Sequence, residues 1–495
     1  MFKNFPGYKL LEKIQKNKSH KRERKLPLNA IKLLFITAIA FVVALIPSES
    51  FGIEGLTVVH QRIIALFVFA ALMWLTETMP SWVTSMIVVT VMLFTVSTSA
   101  FNFLRPENNV GLVPFKSIMA CFANPTIMLF IGGFVLAIGL TKVKLDVALA
   151  RVLLKPFGTR SNVVLLGFIL VTAIFSAFVS NTATAAMMLA FLTPVLRSLP
   201  ADGKGRIALA LAIPVGANLG GMITPIGTPP NMIALDYLAS QGMGISFGDW
   251  TIKMAPFVFL LLFLSWMLLR VLFPFKQKNI KIEIEGEVDW NFKTWSVIVA
   301  FVVTIFMWMV GTDMWGVDTN VVAMIPIAIF CATGILTRRD LEEINWSVLW
   351  MVAGGFALGV ALNYGGDASL SSLIVKSVPF YEFSPIMVMI LAGVICFAFS
   401  NFISHSAATS LLVPVLGVVA SGLGTALDGV GGPQAMLVGI AIASSVSMIL
   451  PISTPPNAIA HSTGFIEQKD MMKVGIIVGL LGLVLGYVML IFIGF

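Results

Sequence analysis

Apolar runs of about 18 residues or more recur along almost the whole chain, and a run of that length is long enough to cross a bilayer as a helix. Within hydrocarbon every backbone polar group must find a partner inside the protein, so such runs leave little choice but a helix bundle. Composition agrees: 58% of the residues are hydrophobic and only 11% charged, with a mean hydropathy of +0.95, too apolar for a soluble domain. The fold class is therefore an all-α polytopic membrane protein. Crossing segments are expected at about 30–47, 61–78, 84–100, 117–154, 206–238, 254–275, 293–311, 320–337, 346–376, 435–464 and 472–494. Two further apolar segments, about 160–198 and 385–416, carry a polar cluster at their centres and read as re-entrant hairpins, which leaves eleven crossings.

Charge sets the orientation. The first 29 residues hold nine Lys/Arg. The apolar span that follows has no small-residue cleavage site, so this stretch reads as a basic cytoplasmic tail rather than a signal peptide. Beside a membrane span, such a tail orients the chain and contacts anionic lipid; nucleic acid is not an expected partner. With the N-terminus inside, only Arg62, Arg105, Lys116, Lys253 and Lys376 fall on the far side, and Lys142 and Lys144 lie within a broken span. The three cysteines, Cys121, Cys331 and Cys396, stand singly in apolar segments, with no metal or disulfide spacing.

The chain also repeats itself. GTPPNMIA at Gly227–Ala234 returns as STPPNAIA at Ser453–Ala460, an offset of 226. SNTATAAMM at Ser180 aligns with SHSAATSLL at Ser404 (offset 224), and GGFVLAIGL at Gly132 with GGFALGVAL at Gly354 (offset 222). Each copy holds five crossings and one hairpin, and an odd number of crossings turns the second copy upside down. The expected organisation is a tail (1–29), a first transmembrane helix and linker (30–60), inverted repeat 1 (61–275), a cytoplasmic linker (276–292) and inverted repeat 2 (293–495). Inverted repeats broken at matching places are the sequence mark of a secondary transporter.

The breaks have a local cause. Proline drives the residue before it out of the α region and, lacking an N–H, suits the first position of a helix. Thr228 and Thr454 thus suit N-caps, with Pro229 and Pro455 opening new half-helices. Ser180-Asn181-Thr182 and Ser404-His405-Ser406 read as hairpin tips that cap second arms. Four half-helix N-termini, each carrying roughly +0.5 of a charge, would offer about +2 to an anion. Unwound carbonyls suit a small hard cation such as Na+. Few carboxylates compete: Glu77, Asp146, Asp236 and Asp367 lie in or beside spans, and none falls inside the motifs. The GGF pairs read as close helix packing, and His60 and His461 as interfacial residues.

Ser180-Asn181-Thr182, its partner Ser404-His405-Ser406 and the two TPPN loops resemble the divalent anion/Na+ symporter (INDY-type) family of di- and tricarboxylate transporters, over about residues 60–495. The resemblance implies a homodimer with an elevator-type transport domain, and dicarboxylates such as succinate, malate, fumarate or 2-oxoglutarate as substrates. By position it implies substrate contacts at Asn181, Thr182, Thr228, Pro229, His405, Ser406, Thr454 and Pro455. A first Na+ site would fall on Ser176, Ser180, Asn181 and Gly227, and a second on Ser400, Ser404, His405 and Ser453. No other cofactor is implied.

The chain departs from the family pattern at His405, where family symporters carry asparagine, and at Ser406, where they carry threonine. Asparagine offers Na+ a carbonyl oxygen and imidazole does not, whereas imidazole can donate to a carboxylate. The departure favours a dicarboxylate exchanger, with a Na+-coupled symporter the alternative. An inorganic oxyanion or Na+/H+ transporter of the same architecture is a more distant alternative and would need an acidic residue at the crossing point, which the motifs lack. A channel would need rings of polar groups along a path. An enzyme would need an acid to orient His405, so none is expected. The expected location is the plasma (inner) membrane, multi-pass.

Overall fold

The computed structural model describes residues 26–107, 109–200, 203–280 and 288–495. The basic tail, up to residue 25, and positions 281–287 of the 276–292 linker lie outside the described residues. The first half of the chain runs through α1 (Leu26–Leu45), α2 (Val58–Thr76), α3 (Ser81–Thr95), α4 (Phe115–Ala120), α5 (Pro125–Lys142), α6 (Leu145–Leu154), α7 (Ser161–Ser176), α8 (Asn181–Ser198), α9 (Gly205–Gly220), α10 (Pro229–Ser240) and α11 (Phe247–Leu272). The second half runs through α12 (Phe292–Trp315), α13 (Thr319–Val322), α14 (Met324–Ala332), α15 (Arg338–Glu342), α16 (Trp346–Asn363), α17 (Leu370–Ser377), α18 (Pro385–Phe402), α19 (His405–Leu423), α20 (Gly432–Ser445), α21 (Pro455–Ser462) and α22 (Gln468–Phe492). Among the described residues there is no strand beyond two isolated bridges, Ser97 with Val113 and Arg160 with Asn279. Among the described residues eight helical segments are long and apolar enough to cross a membrane, and six shorter apolar ones accompany them. The protein is an all-α polytopic membrane protein.

From α5 to α11 and from α16 to α22 the elements follow one order: a spanning helix, a short helix, a two-armed hairpin, a broken helix pair and a long closing helix. Two expected spans are subdivided. The 117–154 run breaks at Lys144, which is left-handed (φ 57°), and the 346–376 run breaks at Gly365 (φ 111°). In both places polar residues flank the turn (Lys142 and Asp146, Asn363 and Asp367) and apolar sequence resumes beyond it, so the expected spans run across it.

The glycines of the GGF pairs are used for close packing, and they are used reciprocally. A Cβ on Gly132 of α5 would come within 2.6 Å of the Ala323 carbonyl between α13 and α14. One on Gly354 of α16 would collide with the Cβ of Ser85, on α3. Each half therefore presses its glycine onto an early helix of the other.

An ion pair ties the halves together where α5 ends. Lys142 Nζ lies 2.5 Å from Asp340 Oδ2 and donates to the Ile335 carbonyl at 2.6 Å. The Thr337 amide and hydroxyl donate to the same carboxylate oxygen at 2.5 and 2.6 Å. Burial alone would push the Asp340 carboxyl up; the hydrogen bonds from Lys142 and Thr337, with the ammonium charge, carry it below its ordinary value instead. A carboxylate held low contributes stability that is complete above the ordinary range, near pH 4, and is lost as pH falls through the lowered value. Asp340→Asn is expected to cost about 1.5–3 kcal/mol at pH 7. The gap in melting temperature between wild type and variant should narrow in thermal melts taken below about pH 4. A gap of constant size across that range would rule out the carboxylate as its source.

Candidate functional site

The first hairpin ends one arm at Ser176 and begins the next at Asn181, with Ser180 as the N-cap accepting from the Ala183 amide at 3.3 Å. The octet loop lies against this tip. Thr228 is extended (φ −147°, ψ 143°) and Pro229 opens α10, as its position before proline predicts. The Thr228 side chain makes no capping hydrogen bond. Gly227 is required where it stands, since a Cβ there would collide with the Gly221 carbonyl.

Tip and loop meet at Asn181. One terminal atom of its amide lies 2.7 Å from Ser176 Oγ, 3.1 Å from the Gly227 carbonyl and 3.3 Å from the Ala217 carbonyl. With nitrogen in that position the amide donates to its neighbours. With oxygen there, four oxygens converge with no amide donor among them, an arrangement that a hard cation stabilises. Ser176 is fully buried and its hydroxyl also donates to Ala217 at 2.7 Å. Three of the four residues expected at a first Na+ site, Ser176, Asn181 and Gly227, are thus in direct contact, while the Ser180 hydroxyl is turned to its helix cap.

The second half repeats the scaffold with different chemistry. Ser404 caps α19, accepting from the Ala407 amide at 3.2 Å, and Thr454 caps α21, accepting from the Asn457 amide at 3.2 Å. His405 Nε2 lies 2.6 Å from the Ser447 carbonyl. A carbonyl can only accept, so Nε2 carries the hydrogen and donates it. The backbone carbonyl of His405 accepts from Ser444 Oγ at 3.0 Å, and Ser444 Oγ accepts from Ser400 Oγ at 3.3 Å. Ser453 Oγ instead donates to the Leu450 carbonyl at 2.7 Å. Of the expected second-site residues, Ser400 and His405 are joined through Ser444, while the Ser404 and Ser453 hydroxyls serve their own cap and loop.

Sequence reasoning missed the groups that hold these loops. Asn231 Nδ2 donates to the Gly221 and Thr224 carbonyls at 3.0 and 2.9 Å. Asn457 Nδ2 does the same for Met448 and Leu450 at 2.8 and 3.1 Å. The fourth letter of each TPPN is therefore a clamp on the unwound backbone, which meets the requirement that buried carbonyls be paired. Asn218, 2% exposed on α9, donates to Thr454 Oγ1 at 3.2 Å and to Asn457 Oδ1 at 3.1 Å. It is adjacent to Ala217 and so joins the first cluster to the second loop. Its counterpart at the octet offset of 226 is Ser444, a pairing visible in the sequence once the offset is known. Thr182, Pro229 and Ser406 are half-buried and Pro455 exposed at the starts of their helices. No Lys, Arg, Asp or Glu stands among these motif residues.

Packing between the halves is reciprocal here as well: α10 lies against α19 and α20, and α21 against α8 and α9. Paired hairpins and paired broken helices, each interleaved with the other half in an apolar bundle, define a membrane transporter. A profile of the citrate transporter family (CitMHS) matches residues 71–431, and the chain belongs to that family. Over 459 residues it is 27% identical to the sodium-dependent dicarboxylate transporter SdcS of Staphylococcus saprophyticus, covering 85% of this chain and 84% of the relative. It is 28% identical over 475 residues to the sodium-dependent high-affinity dicarboxylate transporter 3 of Caenorhabditis elegans, covering 84% and 80%. An uncharacterized transporter of Schizosaccharomyces pombe is 29% identical over 431 residues (84% of this chain), and there the match spans about half (48%) of the relative's length. Among solved structures the Alcanivorax borkumensis YdaH transporter shares the fold, with a TM-score of 0.55 at 13% identity over 86% of this chain and 97% of that one. The family and these relatives are transporters, not enzymes.

Proposed function

We propose that this protein carries C4–C5 dicarboxylates, of the succinate, malate, fumarate and 2-oxoglutarate class, across the plasma membrane by exchanging one for another. Two relatives are named for dicarboxylates. Four half-helix N-termini supply positive potential to an anion without a fixed cation in the motifs. Asn181, Thr182, Thr228 and Pro229 face one end of the substrate, with His405, Ser406, Thr454 and Pro455 at the other. The halves are inverted repeats, the protein is a homodimer with a cytoplasmic N-terminus, and the hairpin-bearing elements move as an elevator; the reciprocal packing of α10 and α21 supports the inversion.

The observation that carries exchange over symport is the His405–Ser447 hydrogen bond. By sequence position the ring stands where the first half has the Asn181 side chain, and His405 contributes no side-chain oxygen to a second Na+. Sodium-coupled symport is the second reading, favoured by the Ser176 hydroxyl and the Gly227 and Ala217 carbonyls gathered around the Asn181 amide and by the relatives' names.

The test is uptake of labelled succinate and 2-oxoglutarate into proteoliposomes, loaded with unlabelled dicarboxylate or empty, with and without an inward Na+ gradient. Exchange predicts uptake only into loaded vesicles, independent of sodium. Sodium-driven uptake into empty vesicles would establish symport instead. No uptake of either acid under any condition would reject both.

A further inference from the structure

A cavity of about 500 Å3 lies apart from the tips, between α10, α16, α19 and the start of α5. Its charge is set by Asp236, on α10. The Thr126 hydroxyl donates to Asp236 Oδ1 at 2.8 Å, and Asn124, the N-cap of α5, hydrogen-bonds the same carboxylate. Two neutral donors orient this carboxylate but do not neutralise it. No Lys, Arg or His lines the cavity, and Asp236 has no ion-pair partner among the described residues. Across the space stands Ser410 of α19, 1% exposed, whose hydroxyl has no hydrogen-bond partner. The walls between them are apolar, formed by Ile233, Phe356, Val360 and Val413.

We propose that this cavity binds a small amphipathic organic cation, an aryl- or alkylammonium. Its charged end would sit at Asp236, its apolar body against Phe356 and Val413, and Ser410 would be within reach of a polar substituent. The sign of the charge excludes the transported dianions, because a dicarboxylate here would meet a like charge with no cation to offset it. Size argues against a bare alkali ion, which would fill a small fraction of a space in the range of organic-ligand pockets. A buried carboxyl that a bound cation would ion-pair, one unpaired hydroxyl and a partly apolar lining are the ordinary makings of such a pocket.

Occupancy has a consequence that rests on the transport reading above. The cavity lies where α10 and α19, which carry the motif tips, meet α5 and α16, which carry the interlocked GGF glycines. A ligand touching both sets holds them in one relative position. It therefore inhibits without competing for the dicarboxylate.

Binding is tested on the purified full-length protein by thermal unfolding with phenethylammonium, against 2-phenylethanol as the uncharged probe. The ammonium is expected to raise the melting temperature by several degrees at millimolar concentration, and the alcohol to leave it unchanged. Two variants should each abolish the shift: Asp236→Asn, which keeps shape but not charge, and Gly359→Val, which fills the cavity. Gly359 lines the space and a Cβ there meets nothing within 4 Å, so the valine is accommodated. In proteoliposomes phenethylammonium should lower the maximal rate of succinate exchange at unchanged KM, and Asp236→Asn should remove the inhibition while exchange stays within about twofold of wild type. An equal shift by the alcohol, no shift at all, or a shift that survives both variants would overturn the site. A shift without inhibition would overturn the coupling to transport. Absence of dicarboxylate uptake by the untreated protein would sink the transport reading, while the thermal shift would still decide for or against the pocket.

Discussion

Replacing Asn457 with leucine is expected to abolish transport and to destabilise the protein more than any other single change in the motifs. Leucine matches asparagine in size but offers neither donor nor acceptor. The Met448 carbonyl would lose its amide partner and Asn218 one of its two acceptors, while the Leu450 carbonyl keeps the Ser453 hydroxyl and amide. Each buried polar group left unpaired costs about 1–3 kcal/mol, so the two together cost about 2–6 kcal/mol when water does not enter. That is a large part of the margin of about 5–15 kcal/mol typical of folded domains. The octet loop would then refold around whatever donors it can reach, and Thr454 would no longer cap α21 in its present place. Asn231→Leu should act similarly through Gly221 and Thr224. Asn218→Ala is the informative contrast, since it removes the bridge between halves and leaves both clamps intact. It should cost about 1–2 kcal/mol, within the range for one side chain's hydrogen bonds. Thermal melts in detergent and succinate uptake in proteoliposomes measure the two effects. Uptake at the wild-type rate by Asn457→Leu would show that the clamp is dispensable.

The outline of the bundle was legible because hydropathy and proline act locally. Each expected crossing holds a helix, the hairpin tips fall at Ser180 and Ser404, and the octets break at Thr228 and Thr454. The break at Lys144 was marked by its charges, Lys142, Lys144 and Asp146, whereas the one at Gly365, between Asn363 and Asp367, was run across because apolar residues resume beyond it. The site was legible in its repeated letters but not in its supports. Asn231 and Asn457 could be read as letters of the motif, yet their work depends on the loop folding back over them. Asn218 is the one polar residue in the apolar run from Ile207 to Gly220, and nothing local announces that it faces the other half. Asp236 stood out as one of the few acids within a span, but the cavity around it is built from residues more than 200 positions apart in the chain, a juxtaposition that only the packed bundle reveals.

His405→Asn should make transport depend on sodium. In the first half Asn181 places an amide among Ser176 Oγ and the carbonyls of Gly227 and Ala217, and an amide can turn its oxygen to a cation that these groups gather around. In the second half the imidazole occupies the matching position, 224 residues on, and spends its hydrogen on the Ser447 carbonyl. The ring gives that carbonyl a hydrogen and offers a cation no oxygen of its own. The asparagine variant removes the ring and restores an oxygen that can turn toward the Ser400 and Ser444 hydroxyls. An inward Na+ gradient is then expected to stimulate succinate uptake into empty vesicles at least tenfold, equivalent to about 1.4 kcal/mol of coupling. Wild-type exchange should not respond to the same gradient. His405→Ala separates the two roles of the ring, because it removes the donor without supplying an oxygen: exchange should fall and no sodium dependence should appear. If His405→Asn stays indifferent to sodium, the ring is not what sets the coupling. Should wild type already be driven by sodium, the oxygen cluster at Asn181 suffices for coupling and the symport reading stands.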